Sequence, residues 1–333
     1  MIDLNVRLDS SLNEDEYRYL AHLQNVNIEE TFPNCLVFNY QTGTKEDYEN
    51  VRKFALSLLQ NEEAIEFAMM SLIHRLFNEG YYYLEIALTP YLHQDNKLSQ
   101  RKILKAALRG INDALEKCPG MDVNLVLYCH REASEDYNTE TVKLALEYKD
   151  ERVVAVGLEG DDKDHPIGEY EKLFVRCKKI DYPVVIQLGS HYNSNNSILK
   201  AAQIGAKRIT SPYRIELNNE TFRILVERKV FFEFTPSMDI INKFVESYEL
   251  FPLKRLWNTG YQAFVSGSSY SILDASLKKE FIHLGQHSAF SRDDVYHSIY
   301  LSIQAAFTRN LRERNRILKK VIADFDHFYN QTI

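Results

Sequence analysis

The chain has 333 residues, 45% of them hydrophobic, which is enough for a sizeable buried core and too much for a disordered chain. Its 47 acidic and 40 basic residues leave a formal charge of −7, which argues against a broad basic surface for nucleic acid or an anionic membrane. No apolar run approaches the roughly 20 residues of a membrane span, nothing reads as a signal peptide, and Cys35, Cys118, Cys129 and Cys177 stand far apart, so a soluble, cytoplasmic protein without disulfides or thiolate zinc is expected.

At the start of the chain Asp3, Asn5, Arg7 and Asp9 alternate with Ile2, Leu4, Val6 and Leu8, the period-2 pattern of a strand with one polar face. Asp9-Ser10-Ser11 then reads as a turn and helix N-cap signal. The apolar spacing predicts helices over 13–24, 45–59 and 62–78, the last closed by Gly80, and an aromatic strand over 81–88 ended by Thr89-Pro90. A helix over 99–117 and a strand over 122–129 follow.

Beyond residue 130 the alternation becomes regular. Helices are predicted at 139–148, 168–179, 194–204 and 219–228, with two helical turns before Asn258; strands fall at 153–157, 183–187, 207–210, 230–234 and 262–265. Eight strands with near-continuous apolar cores, separated by helices, point to a (β/α)8 TIM barrel over 1–333, one domain with extra helices after the first strand and at the C-terminus. An open doubly wound sheet is the alternative, but it usually carries a Gly-rich first turn, which Asp9-Ser10-Ser11 is not. The tail from Arg292 to Phe328 reads as helical, and its basic run Arg309, Arg312, Arg314, Arg316, Lys319, Lys320 as a solvated face.

The opening strand resembles that of the adenosine deaminase family, where it reads His-x-His-Leu-Asp-Gly-Ser-Leu and both histidines hold a catalytic zinc; here Asn5 and Arg7 stand at those positions. Tyr83 to Pro90 resembles the family's Tyr-x-Glu-x-Arg-x-x-Pro second strand. Val153 to Asp161, Ala201 to Ile209, Phe232 to Ser237 and Ala305 to Asn310 are similar to its fourth, sixth and seventh strand regions and its last helix. The resemblance covers most of the chain, in shared order.

That resemblance also implies where the chemistry has changed. The family's His-Ala-Gly-Glu at the fifth strand, with a metal ligand and the proton shuttle, corresponds to Gln187-Leu188-Gly189-Ser190; its Gly-His-Gly at the sixth corresponds to Thr210-Ser211-Pro212; its Thr-Asp-Asp-Pro at the eighth corresponds to Gly267-Ser268-Ser269-Tyr270. Neutral amides and hydroxyls are poor zinc ligands and an arginine repels a cation, so no metal, no cofactor and no catalytic residue is expected. Asp9, which the resemblance places on the ribose, and Gly160, on the purine, remain.

The resulting expectation is a metal-free, catalytically silent relative that binds a purine nucleoside-like small molecule, or a partner protein, through Arg7, Asp9, Gly160, Gln187, Ser190, Ser211, Ser268 and Ser269. The alternative is an active hydrolase or deaminase with a rearranged site, or with a metal recruited by His130, His191 and nearby acids. A serine hydrolase would pair Ser190 with His191 and draw an acid from Asp161 or Asp162. His283-x-x-x-His287 has ligand spacing, but Gly285 lies between them and a surface pair is the plainer reading. Arg7 is expected to point into the barrel mouth and pair with a carboxylate, Asp9 or Glu85.

Overall fold

The computed structural model describes residues 1–28, 44–188 and 194–332. Its strands are β1 Ile2–Arg7, β2 Tyr83–Leu88, β3 Asp122–His130, β4 Val153–Glu159, β5 Val184–Gln187, β6 Ala206–Thr210, β7 Phe231–Phe234 and β8 Ala263–Val265. They form one sheet in sequence order, with every ladder parallel. The seam between β8 and β1 is bridged where the Arg7 N–H donates to the Ser268 carbonyl (3.2 Å) and the Gly267 N–H to the Asp3 carboxylate (2.9 Å). The architecture is the TIM barrel expected from the alternation.

Among the described residues the helices are α1 Glu14–Leu23, α2 Lys45–Ser57, α3 Glu62–Asn78, α4 Gln100–Lys117, α5 Glu135–Glu147, α6 Val175–Lys179 and α7 Asn195–Ile204. After them come α8 Asn219–Glu227, α9 Pro236–Ile241, α10 Leu253–Asn258, α11 Leu277–His287, α12 Arg292–Ala305, α13 Leu311–Ala323 and α14 Phe325–Thr332. Side-chain caps set many of their starts: Asn13 closes a reciprocal capping box with Glu16, and Ser99, Ser134, Ser276 and Ser291 accept from the third residue of their helices. Gly110 lets α4 lie against α3, because a methyl group there would sit 2.3 Å from the Glu66 carbonyl.

Strand alternation divides the interior in two. One set of side chains packs outward against the helices, while Ala87, Val126, Tyr128, Ala155 and Val185 form a separate cluster inside the barrel, touched by Phe307. Tyr128 lies in register with Gly157, and its ring fills the space where a side chain at 157 would be. The inward positions nearer the carboxyl ends of the strands are polar, so the apolar plug becomes the base of a polar mouth.

Several expectations are corrected here. The first strand ends at Arg7; Leu8–Ser10 is a 3-10 turn, and the cap of α1 is Asn13 rather than Asp9, whose carboxylate is engaged elsewhere. The helix predicted at 168–179 is a 3-10 turn, Ile167–Tyr170, followed by the short α6, and the C-terminal helix is three helices. The basic run is only partly a solvated face: Arg309 and Arg316 reach back to Asp122 at the start of β3, at 3.1 and 2.8 Å. His287 pairs with Glu249 on the surface (3.2 Å). Cys118, Cys129 and Cys177 are buried free thiols, Cys35 lies outside the described residues, and no described helix is long and apolar enough to cross a membrane.

Candidate active site

A cavity of about 660 Å³ opens at the carboxyl ends of the strands. Its floor is drawn from many of them: Asn5 and Arg7 from β1, His130 from β3, Glu159 from β4, Gln187 from β5, Thr210 from β6, and Thr235 and Ser268 just beyond β7 and β8. Tyr48 and Arg52 of α2 form one wall, Gly160 and Lys163 a second, and Met238, Ile241 and Phe244, on and just after α9, a third. A parallel barrel gathers residues distant in sequence at this end because every strand finishes there.

The dominant feature is an ion-pair chain. Arg7, 8% exposed, donates through Nη2 to the Glu159 carboxylate, whose other oxygen accepts from the Thr89 hydroxyl. Its Nε faces Asp9 at 3.7 Å, and Asp9 in turn accepts from Arg52 Nε at 2.6 Å. Burial pushes the Glu159 carboxyl up, but Arg7, with Arg52 and His130 behind it, more than offsets this and holds it below its ordinary value. Asp9 behaves alike: Arg52 and then Arg7 outweigh burial. Burial lowers the His130 imidazole, which stacks on Tyr91 at 5.0 Å and is therefore held toward its neutral form.

One layer below, Arg208 is fully buried between two carboxylates, with Nη2 2.8 Å from Glu85 and Nε 3.4 Å from Glu233, and its guanidinium carbon is 4.7 Å from the Phe307 ring centroid. Glu85 is thus engaged by Arg208 and does not meet Arg7, a correction; of the two expected partners Asp9 does face Arg7, and Glu159 is an additional and closer one. Burial raises the Glu233 carboxyl in spite of Arg208, and burial also raises Asp3, whose carboxylate accepts from Tyr270.

Behind the third wall stand two more buried acids. Asp239 accepts from the Ser211 hydroxyl (2.5 Å), the Tyr213 hydroxyl (2.9 Å) and the Thr235 N–H (3.0 Å); Glu280 accepts from the Ser237 N–H (3.0 Å) and the Tyr248 hydroxyl (2.8 Å). Burial pushes Asp239 up to about 7 and Glu280 to about 8.

The structure brings Arg7, Gly160, Gln187 and Ser268 together on the cavity surface. Gly160 has φ +103°, and a methyl group there would lie 3.3 Å from Arg131 N and His130 Cε1. Three other expected residues do not line it: Asp9 is held behind Arg7 by Arg52, Ser211 is turned into Asp239, and the Ser269 hydroxyl lies between Tyr48 and Ser10 at 3.0 and 2.9 Å. Ser190 and His191 lie outside the described residues. Asp161 accepts from the Lys163 N–H in its own loop (3.0 Å), and among the described residues no group of three His, Cys, Asp or Glu side chains is placed to hold a metal.

Sequence reasoning missed Arg52, Tyr48 and Arg208. An arginine inside the otherwise apolar strand core around Ile209 was a usable signal for the last; nothing in the helical pattern distinguished Arg52 from a surface cation.

A TIM barrel with a polar mouth at the carboxyl ends of its strands has the placement typical of enzyme and ligand sites on this fold. The family profile described as adenosine deaminase matches residues 2–324, and the chain belongs to that family. It is 26% identical over 323 residues to an adenosine deaminase of Clostridium perfringens, covering 95% of this chain and 96% of that one. Against an adenosine deaminase of Haemophilus ducreyi it is 27% identical over 320 residues, covering 93% and 92%. Its fold is similar to that of an adenine deaminase from Arthrobacter aurescens, with TM-score 0.83 at 17% identity over 97% of this chain and 98% of that one. It is likewise similar to Arabidopsis ADAL complexed with IMP, with TM-score 0.79 at 18% identity over 100% and 97%.

Proposed function

We propose that the barrel mouth binds a purine nucleoside-like small molecule and does so without a metal ion. The observation that carries this reading is the ion pair between Arg7 and Glu159, which sits where the family resemblance places a zinc ligand. The donor set does not fit that ion: Asn5 and Gln187 offer neutral amides, Ser268 a neutral hydroxyl, and Arg7 a fixed positive charge already committed to Glu159 and Asp9. The residues present bind and orient. Gly160 and Gln187 shape the cavity, while Arg7 and Arg52 keep Glu159 and Asp9 ionised in a buried setting. Family membership, the cavity's size and the IMP and GMP complexes of structural neighbours support a purine-containing ligand.

The names of the curated relatives favour a second reading, an active hydrolase or deaminase acting on a purine nucleoside with a rearranged site. In it the neutral His130 and the ionised Glu159 are the titratable groups on the cavity floor suited to proton transfer. Metal analysis of protein purified without chelator, together with adenosine titration and ammonia release, separates the two. Binding without turnover and without stoichiometric zinc is the expected result; stoichiometric zinc with adenosine turnover would defeat the first reading in favour of the second.

A further inference from the structure

We propose that Asn5 and Arg7 together read the base of the ligand, and that the base they select is a 6-oxopurine, whose lactam edge carries an N–H beside a carbonyl. This rests on the purine reading above and adds the class of base and the residues that choose it. Asn5 is 6% exposed and lines the cavity floor. Its backbone N–H donates to Asp3 (3.1 Å), yet its side-chain amide makes no hydrogen bond to any described residue, and its Oδ1 is sealed from solvent without a donor. A buried amide left unpaired is costly unless a ligand completes it.

Three neighbouring polar side chains are already engaged. The Thr210 hydroxyl donates to Glu233 (3.0 Å), the Thr235 hydroxyl to Asp239 (3.3 Å), and Glu159 takes both Arg7 and Thr89. Asn5 is therefore free to pair with a ligand where these are not. Because its amide makes no hydrogen bond, a half-turn that brings Oδ1 to the cavity side breaks none.

Arg7 lies two residues further along the same strand face, roughly 6–7 Å away. Its Nη2 is used by Glu159 and its Nε faces Asp9, while Nη1 has no hydrogen-bond partner among the described residues. A lactam satisfies both residues at once. Its N–H donates to Asn5 Oδ1, turned to the cavity side, and its carbonyl accepts from Arg7 Nη1, a charge-assisted contact of the kind arginine makes with the O6 edge of guanine. A 6-aminopurine places an amino group where that carbonyl would be, so donor meets donor beside a fixed positive charge.

Calorimetric titration of the whole chain with inosine, 1-methylinosine and adenosine tests this. Inosine is expected to bind at least about tenfold more tightly than the other two, since one lost hydrogen bond to a buried polar group is worth roughly that factor. Asn5→Leu, which keeps the branched outline and removes the amide, should bring inosine and 1-methylinosine to equal affinity. Equal binding of inosine and 1-methylinosine, or tighter binding of adenosine, overturns the assignment and leaves the purine pocket standing. Failure of all three to bind removes the pocket reading and this inference with it. Should Asn5→Leu not fold, the comparison of inosine with 1-methylinosine on the unaltered chain decides.

Discussion

Replacing Arg7 by alanine tests the ion-pair chain most directly. Asp9 keeps Arg52 at 2.5 Å, so the damage concentrates on Glu159, 3% exposed, which retains the Thr89 hydroxyl and loses the arginine that donates to it. Breaking a buried pair from one side costs about 3–5 kcal/mol; because the pair faces a cavity that water can enter, a value near the lower end, about 3 kcal/mol, is expected. The assay is urea unfolding at pH 8 and pH 5. In the unaltered protein the Glu159 carboxyl is held below its ordinary value of 4.5, so its contribution is present above that value and is lost as pH falls through the folded-state value. In Arg7→Ala burial acts without its main opponent and pushes the carboxyl up. Protonation at pH 5 then removes the stranded charge, and the deficit should be smaller at pH 5 than at pH 8. Adding Glu159→Gln should recover much of the loss. An unchanged midpoint in Arg7→Ala, or a deficit of the same size at both pH values, would refute the argument.

Two further outcomes follow from the cavity walls. Gly160→Ala should destabilise by about 1–3 kcal/mol, since φ is +103° and the new methyl group meets Arg131 and His130, and should weaken ligand binding; calorimetry and thermal melting on the variant check both. Asp239 and Glu280 have folded-state values raised to about 7 and about 8 from 3.8 and 4.5, so they favour the folded protein at acid pH and that contribution is lost as pH rises through about 4–8. The decline in stability over that window should flatten in Asp239→Asn and in Glu280→Gln, and an identical pH profile in both variants would contradict the burial argument.

Much of the barrel was legible because its strands alternate with helices and because β4, Val153–Glu159, is buried at every position, as a strand covered on both faces must be. The inward direction of Arg7 was legible for the same reason: period 2 on β1 placed it with Asp3 and Asn5. Asp9 was legible as a partner on the same strand face, but the closer partner was not. Choosing between Glu85 and Glu159 requires the stagger of strands around the barrel, which lifts the end of β4 to the height of Arg7 and leaves Glu85 a layer lower with Arg208. Ser211 and Ser269 were misjudged for another reason. Both follow strand ends, but Ser211 adopts φ +58° and turns into Asp239, and Ser269 is drawn toward Tyr48 of α2. The helical pattern revealed α2 without revealing which of its polar residues would be carried over the mouth.

The mutual dependence of Arg7 and Glu159 also restricts how this chain can change over time. Each is tolerable in its buried position because the other is there, so their effects on stability are not additive. A change of Arg7 to the histidine of the family motif would remove the permanent cation and strand the carboxylate. That single change is therefore destabilising even where a protein altered at both positions would be sound. Single substitutions meet a ratchet at this position, and routes out of the present state pass through Glu159 first or through both residues together.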